Sequence, residues 1–238
     1  MHNLKKLLAA SILFGFSLNV FAEPALQIDI LGGTYDAVNE DIVTSAEAFT
    51  TYVYANPDNG DFKASITDTF YLSVAIVSAD GTSILEDPSL DIGNFDVTLN
   101  GVKTTYTLSS LTYGTPPDGA FADIPTHSIY DTYYLEVAFN FDTSKKYTLK
   151  DTQVVTGDAP VLDASGTMYA QAFDISKVSL LDGYELHFDA YNAAATYKTR
   201  FFAPPSHDGG TYTVSETGSL FLLIAGLFGL VSLKRKTS

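Results

Sequence analysis

The chain has 238 residues, no cysteine and a formal net charge of −15 at pH 7. The lack of cysteine excludes a disulfide, a thiolate zinc site and a cysteine nucleophile. All 28 acidic residues but only eight of the 13 basic ones lie between positions 23 and 216, so this stretch carries a formal charge of −20. Such a charge repels nucleic acid, and we expect no nucleic-acid partner.

The N-terminus has the pattern of a secretory signal peptide. Two lysines precede an apolar run over 7–18, and the small residue Ala22 precedes Glu23. A charged start, a short apolar segment and a small residue before the cleavage site are typical of exported proteins. We predict a signal peptide over 1–22, cleaved between Ala22 and Glu23, with the secretion translocon and signal peptidase as partners of the precursor.

The middle of the chain is rich in short segments that alternate apolar and polar residues. This period of two predicts strands with one face in the core and the other facing water. The alternating segments are 26–30, 49–54, 95–99 and 186–191. The segments 70–77 and 133–141 are denser in apolar residues and are better candidates for central strands.

Asn-Gly and Asp-Gly pairs separate these segments and tolerate the positive φ of tight turns. The pair Asn100-Gly101 predicts a hairpin between 95–99 and 102–108. No long segment has apolar residues at helical spacing, and only 41–49 and 174–181 are candidates for short helices. The pattern favours an all-β fold over 23–213, an antiparallel β-sandwich of the jelly-roll or immunoglobulin-like kind.

The C-terminus predicts a membrane anchor, with an apolar helix over 219–233 and a basic stop cluster at 234–236. At ~1.5 Å per helical residue, 218–233 spans roughly 24 Å, and snorkelling lysines help it to match the ~30 Å hydrocarbon core. Positive residues stay on the cytoplasmic side, which leaves 23–213 outside. A terminal core helix is the alternative.

The order of an acidic tripeptide, a short apolar helix and a basic cluster resembles the PEP-CTERM sorting signal of Gram-negative bacteria. The matching motif lies in 214–238, where Ser215 and Thr217 replace the usual prolines around Glu216. The resemblance implies an exosortase-like sorting enzyme as a partner. The motif residues are Val214, Ser215, Glu216, Thr217 and Gly218.

Three sequence segments, at 26–36, 124–134 and 202–208, resemble parts of the ectodomains of choice-of-anchor proteins of the N-type. Members of that group share the exported domain and differ in the tail. The resemblance implies a location at the cell surface rather than a particular chemistry.

Calcium is the candidate cofactor, because two acidic segments each offer several oxygen ligands within six residues. Neither segment matches an EF-hand loop, and ordinary acidic turns are the alternative. The candidate ligands are Asp36, Asn39 and Asp41 in the first segment, and Asn56, Asp58 and Asp61 in the second.

The chain shows little sign of catalysis. His127, His187 and His207 lack the spacing of a helical zinc site, and no G-x-S-x-G elbow is present. His187 is out of phase with its apolar neighbours, which predicts a side chain facing solvent. We expect no catalytic residues.

These patterns together predict an exported protein, tethered to the inner membrane by its tail and then sorted to the cell surface or released. We expect a non-catalytic structural or binding role, with exopolysaccharide, extracellular matrix or surface proteins as partners. A secreted hydrolase and a calcium-dependent carbohydrate-binding module are the alternatives.

Overall fold

The structure, a computed structural model, describes residues 24–62, 64–115, 131–192, 201–203 and 208–212. The predicted signal peptide and the sorting tail lie outside these ranges. Within them, no helix is both long and apolar enough to cross a membrane.

The regular elements of the described residues are strands and one short 3₁₀ helix. Their regular elements are β1 Leu26–Ile30, β2 Thr34–Asp36, β3 Asp41–Thr44, β4 Ala48–Ala55, β5 Phe70–Ser78, β6 Gly93–Leu99, β7 Val102–Thr107, a 3₁₀ helix Leu108–Ser110, β8 Thr112–Gly114, β9 Thr132–Phe139, β10 Tyr169–Leu180, β11 Tyr184–Asn192, β12 Phe201–Phe202 and β13 Gly209–Thr211.

The strands form two sheets that pack as a β-sandwich. Sheet A has the order β1-β4-β10-β6-β7, and sheet B has the order β2-β3-β13-β11-β5-β9-β8, with β12 also paired to β11. The prediction of an all-β sandwich is therefore confirmed. One pair departs from the antiparallel expectation, because β13 runs parallel to β3.

The core lies between the sheets and is dominated by aromatic rings. Phe139 on sheet B meets Phe173 on sheet A edge to face at 5.2 Å, and Phe49 on sheet A meets Phe188 on sheet B at 5.9 Å. Edge-to-face contacts add to the free energy that burial of these rings already contributes. These contacts hold the sheets face to face.

The predicted hairpin at Asn100-Gly101 is confirmed. Asn100 has a φ of 52° and Gly101 a φ of 78°, as a tight turn between twisted strands requires. The turn sets the register, in which Leu99 pairs with Val102.

The two predicted short helices are wrong. Residues 41–49 lie in β3, the following turn and the start of β4, and 174–181 lies mostly in β10. In β10, Phe173 and Ile175 are buried in the core while Asp174 is exposed, so the true period is two. Pairing with β4 and β6 decides the conformation where local spacing is ambiguous.

A buried ion pair attaches the segment 147–168 to the outer face of sheet A. The Lys150 ammonium contacts the Asp29 carboxylate, and the two side chains are 9% and 0% exposed. The backbone N–H groups of Gly157 and Ile30 also donate to Asp29, at 2.9 and 2.8 Å. Burial raises the pKa of Asp29, and Lys150 opposes that effect. Gln27 adds two hydrogen bonds with the same segment.

We predict that Phe173→Ala lowers the free energy of unfolding by about 3–5 kcal/mol, since the cavity would lie at the contact between the sheets. Val178→Ala on the same strand is the control, because Val178 is 66% exposed. Denaturant unfolding measures both variants. Equal midpoints would contradict the assignment of Phe173 to the core.

We predict that Lys150→Met lowers the free energy of unfolding by about 3–5 kcal/mol, because the carboxylate of Asp29 stays buried without its cation. Adding Asp29→Asn should restore part of the loss. The control is Lys145→Met, which breaks an exposed pair with Asp142 and should leave the unfolding midpoint unchanged. A double variant less stable than Lys150→Met would contradict the pairing.

Candidate functional site

The outer face of sheet B carries an acidic row that crosses five strands. The register pairs Asp189 of β11 with Ser73 of β5, and Ser73 with Glu136 of β9. On the other side of β11, Gly209 pairs with Phe188 and with Ile42, so Asp208, which directly precedes β13, falls beside Asp189 and beside Asp41, the first residue of β3. This row consists of Asp41, Asp208, Asp189, Ser73 and Glu136, and all of its members except Ser73 are acidic.

Three side chains at the centre of this face converge and form what we call the His-Asp-Asp cluster: His187, Asp189 and Asp208. Each offers one ligand atom, and these atoms all lie within 4.8 Å of one another. The Nε2 atom of His187 is 3.6 Å from an Oδ1 atom of Asp189. Asp208 is 0% exposed and Asp189 5%, so the carboxylates are held away from bulk water.

The electrostatics of the cluster disfavour two ionised carboxylates. Burial raises the pKa of Asp208 well above its usual range, and the neighbouring carboxylates of Asp189 and Asp41 raise it further. A buried carboxylate ionises readily only when a positive charge or several hydrogen-bond donors face it. An imidazole nitrogen with two carboxylate oxygens is also a ligand set that divalent metal ions use.

A groove of about 460 Å³ lies beside the cluster and reaches His187. Asp36, Asn39 and Asp41 line it, so the structure places the first predicted calcium segment next to His187. The sequence analysis treated the first calcium segment and His187 separately. The pairing of β13 between β3 and β11 brings them together.

In the first predicted segment, the carboxylate of Asp36 closes the turn between β2 and β3. Its Oδ1 accepts a hydrogen bond from the Val38 N–H at 2.8 Å, and its Oδ2 accepts one from the Asn39 amide at 2.8 Å. These bonds lower the pKa of Asp36. Both carboxylate oxygens therefore have a structural role, and calcium binding here stays a prediction.

The second predicted segment forms a similar pair of turns after β4. The side-chain oxygen of Asn56 accepts from the Asp58 N–H at 3.2 Å, and that of Asn59 accepts from the Asp61 N–H at 2.8 Å. Asp58 and Asp61 are exposed. Calcium binding at these residues also stays a prediction.

The prediction for His187 is half right. The side chain does point away from the core, opposite in phase to Leu186 and Phe188. It does not face open solvent, because only 12% of it is exposed. His127 and His207 lie outside the described residues.

Sequence reasoning missed Asp189 and Asp208 as partners of His187. The H-x-D spacing in β11 places His187 and Asp189 on one face of a strand, and that signal was available. Asp208 directly precedes a different strand, β13. Because only the pairing of β13 with β11 brings Asp208 near the other two residues, no local sequence pattern indicates the contact.

The outer face of sheet A carries a second candidate surface, which we call the polar ladder. One row of paired residues consists of Thr50, Asp174, Thr98 and Lys103, and the next consists of Ser176, Asp96 and Thr105. All seven are at least partly accessible. A groove of about 580 Å³ lies over six of these residues, all except Thr105.

Hydrogen bonds between neighbouring strands orient the polar ladder. The Thr50 hydroxyl donates to Asp174 at 2.8 Å, and the Thr105 hydroxyl donates to Asp96 at 2.6 Å. Lys103 forms an ion pair with Asp96 at 2.6 Å, and these contacts lower the pKa of Asp96. The result is an ordered surface of hydroxyl, carboxylate and ammonium groups.

No protein-family model matches the chain, and no curated protein matches it. A solved structure that the chain matches is a crystal structure of a point mutant of CfaE, the CFA/I adhesin of enterotoxigenic E. coli. The two share 12% sequence identity with a TM-score of 0.31, over 80% of this chain and 49% of the other. The chain thus spans about half the length of that adhesin.

Proposed function

We propose that this chain is an exported, surface-sorted β-sandwich that binds extracellular polysaccharide without cleaving it. The observation that carries the proposal is the polar ladder on sheet A. Sugar hydroxyls both donate and accept hydrogen bonds, and the ladder presents acceptors and donors in register across four strands. Because Thr50 and Thr105 already orient the two carboxylates, little side-chain entropy is lost on binding.

The net charge narrows the class of polymer. The formal charge of −20 between positions 23 and 216 repels anionic chains such as uronic-acid polymers. A neutral polysaccharide does not meet that repulsion, and its hydroxyls match the polar ladder. The ligand class that we propose is therefore a neutral exopolysaccharide of the extracellular matrix.

The two ends of the chain support placement outside the cell. The pattern over 1–22 favours export through the secretion translocon, and 214–238 favours an inner-membrane tether followed by sorting by an exosortase-like enzyme. In this proposal the ectodomain is of the choice-of-anchor type, on a jelly-roll or immunoglobulin-like sandwich. The acidic surface favours solubility outside a cell, and a domain without cysteine does not depend on disulfide formation there.

We expect the full chain to accumulate in the membrane fraction of a Gram-negative host that lacks an exosortase. A version that ends at Thr213 should instead appear in the soluble periplasmic fraction, because it lacks the apolar segment. Fractionation and immunoblotting measure both. Equal membrane fractions for the two versions would contradict the anchor.

We expect the full chain, purified in mild detergent, to bind dextran or galactomannan and to bind alginate at least tenfold more weakly. The double variant Asp96→Asn, Asp174→Asn should lose at least tenfold in affinity, because it weakens the acceptors of the polar ladder. Affinity electrophoresis measures the binding.

The matched control is Asp80→Asn, which removes an exposed carboxylate from a turn outside the ladder and should bind as the wild type does. Equal affinity in the double variant would exclude the polar ladder as the binding surface. Release of reducing sugar that the double variant abolishes would favour a secreted hydrolase instead.

A further inference from the structure

We propose that the His-Asp-Asp cluster binds one divalent transition-metal ion, of which Zn²⁺ is the probe, and that the ion clamps β13 to β11. The proposal goes beyond polysaccharide binding, which involves the opposite sheet. It also differs from the two acidic turns that the sequence suggested for calcium.

The geometry meets the first requirement of a metal site, which is convergence of ligand atoms. The ligand atoms of His187, Asp189 and Asp208 lie within 4.8 Å of one another, so a small inward shift of these side chains would place all three about 2.0–2.2 Å from one ion. Two of the ligands alternate on one strand, where His187 and Asp189 share a face. The third, Asp208, directly precedes β13, which pairs with both β11 and β3.

Charge supports the same conclusion. Burial raises the free energy of an ionised Asp208, and the neighbouring carboxylates of Asp189 and Asp41 add to this cost. A divalent cation between two buried carboxylates offsets their repulsion. Surface carboxylates that are separately hydrated gain far less from a bound ion, which is why burial distinguishes this cluster from the many exposed acids of the chain.

The ligand types indicate which metal. Calcium prefers six to eight oxygen ligands, whereas imidazole favours zinc and its neighbours among the transition metals. One nitrogen and two carboxylate oxygens provide three of the four positions that zinc takes in a tetrahedral site. The groove beside His187 leaves room for water or a further group in the fourth position.

The consequence is a clamp on the last described strand. β13 has only three residues, two of which are glycines, so it contributes few side-chain contacts of its own. A Cβ on Gly209 would lie 3.0 Å from a side-chain carbon of Ile28, so bulk is not accommodated there without a shift. An ion held by Asp208 and by two ligands of β11 would fasten the chain directly before β13, ahead of the predicted sorting tail.

The experiment uses the full chain, purified in mild detergent and stripped of metal with EDTA. We expect calorimetry to show one equivalent of Zn²⁺ bound, with an affinity at least 100-fold higher than that for Ca²⁺. Co²⁺ should give visible absorption bands of a site with nitrogen and oxygen ligands. Zn²⁺ should also raise the melting temperature, because only the folded chain brings the three ligands together.

His187→Gln and Asp208→Asn should each weaken Zn²⁺ at least tenfold and abolish the Co²⁺ bands. Asp36→Asn is the matched control: it lines the adjoining groove without belonging to the cluster, and it should bind as the wild type does. The Co²⁺ bands report on ligands directly, so a change in stability alone does not produce the expected result.

Three results would overturn the proposal. The first is no binding of Zn²⁺ or Co²⁺ by the wild type. The second is unchanged binding in both His187→Gln and Asp208→Asn, which would place the ion at other residues. The third is loss of binding in Asp36→Asn alone, which would assign the ion to the turn between β2 and β3.

Discussion

The aromatic core between the two sheets is the interaction on which the rest of the molecule depends. Phe139 meets Phe173, and Phe49 meets Phe188, across the interface. Because each strand gives alternate side chains to that core, the remaining side chains are forced onto the two outer faces. Both candidate sites are therefore consequences of the packing: the polar ladder outside sheet A and the His-Asp-Asp cluster outside sheet B.

The two outer faces handle charge differently. On sheet A, the carboxylate of Asp29 is buried with Lys150 and accepts two backbone hydrogen bonds, so its charge is compensated within the chain. On sheet B, Asp208 and Asp189 are buried next to each other. Burial raises the pKa of Asp208, and the carboxylates of Asp189 and Asp41 raise it further. The first arrangement is structural, and the second has the properties of a site that a cation completes.

Sequence patterns predicted most of the local structure. The alternation over 26–30 matches β1, and the Asn100-Gly101 pair adopts the positive φ angles that its hairpin needs. The patterns failed where the spacing of apolar residues fits both a strand and a helix, as in 174–181. There, pairing with the neighbouring strands β4 and β6 decided that the segment is a strand. For the candidate site, they located Asp36, Asn39 and Asp41 but treated them as an isolated turn, away from His187.

The sequence by itself determined the properties that depend on composition and on near neighbours: an all-β chain without disulfides, a strong negative charge, strand phases and turn positions. Only the tertiary structure decided which strands pair. The insertion of β13 between β3 and β11 is a long-range event, and it alone puts Asp208 beside Asp189 and Asp41. The same is true of the burial of His187, whose side chain is only 12% exposed. Side-chain phase shows on which face of the sheet a residue lies, but not how much of that face other residues cover.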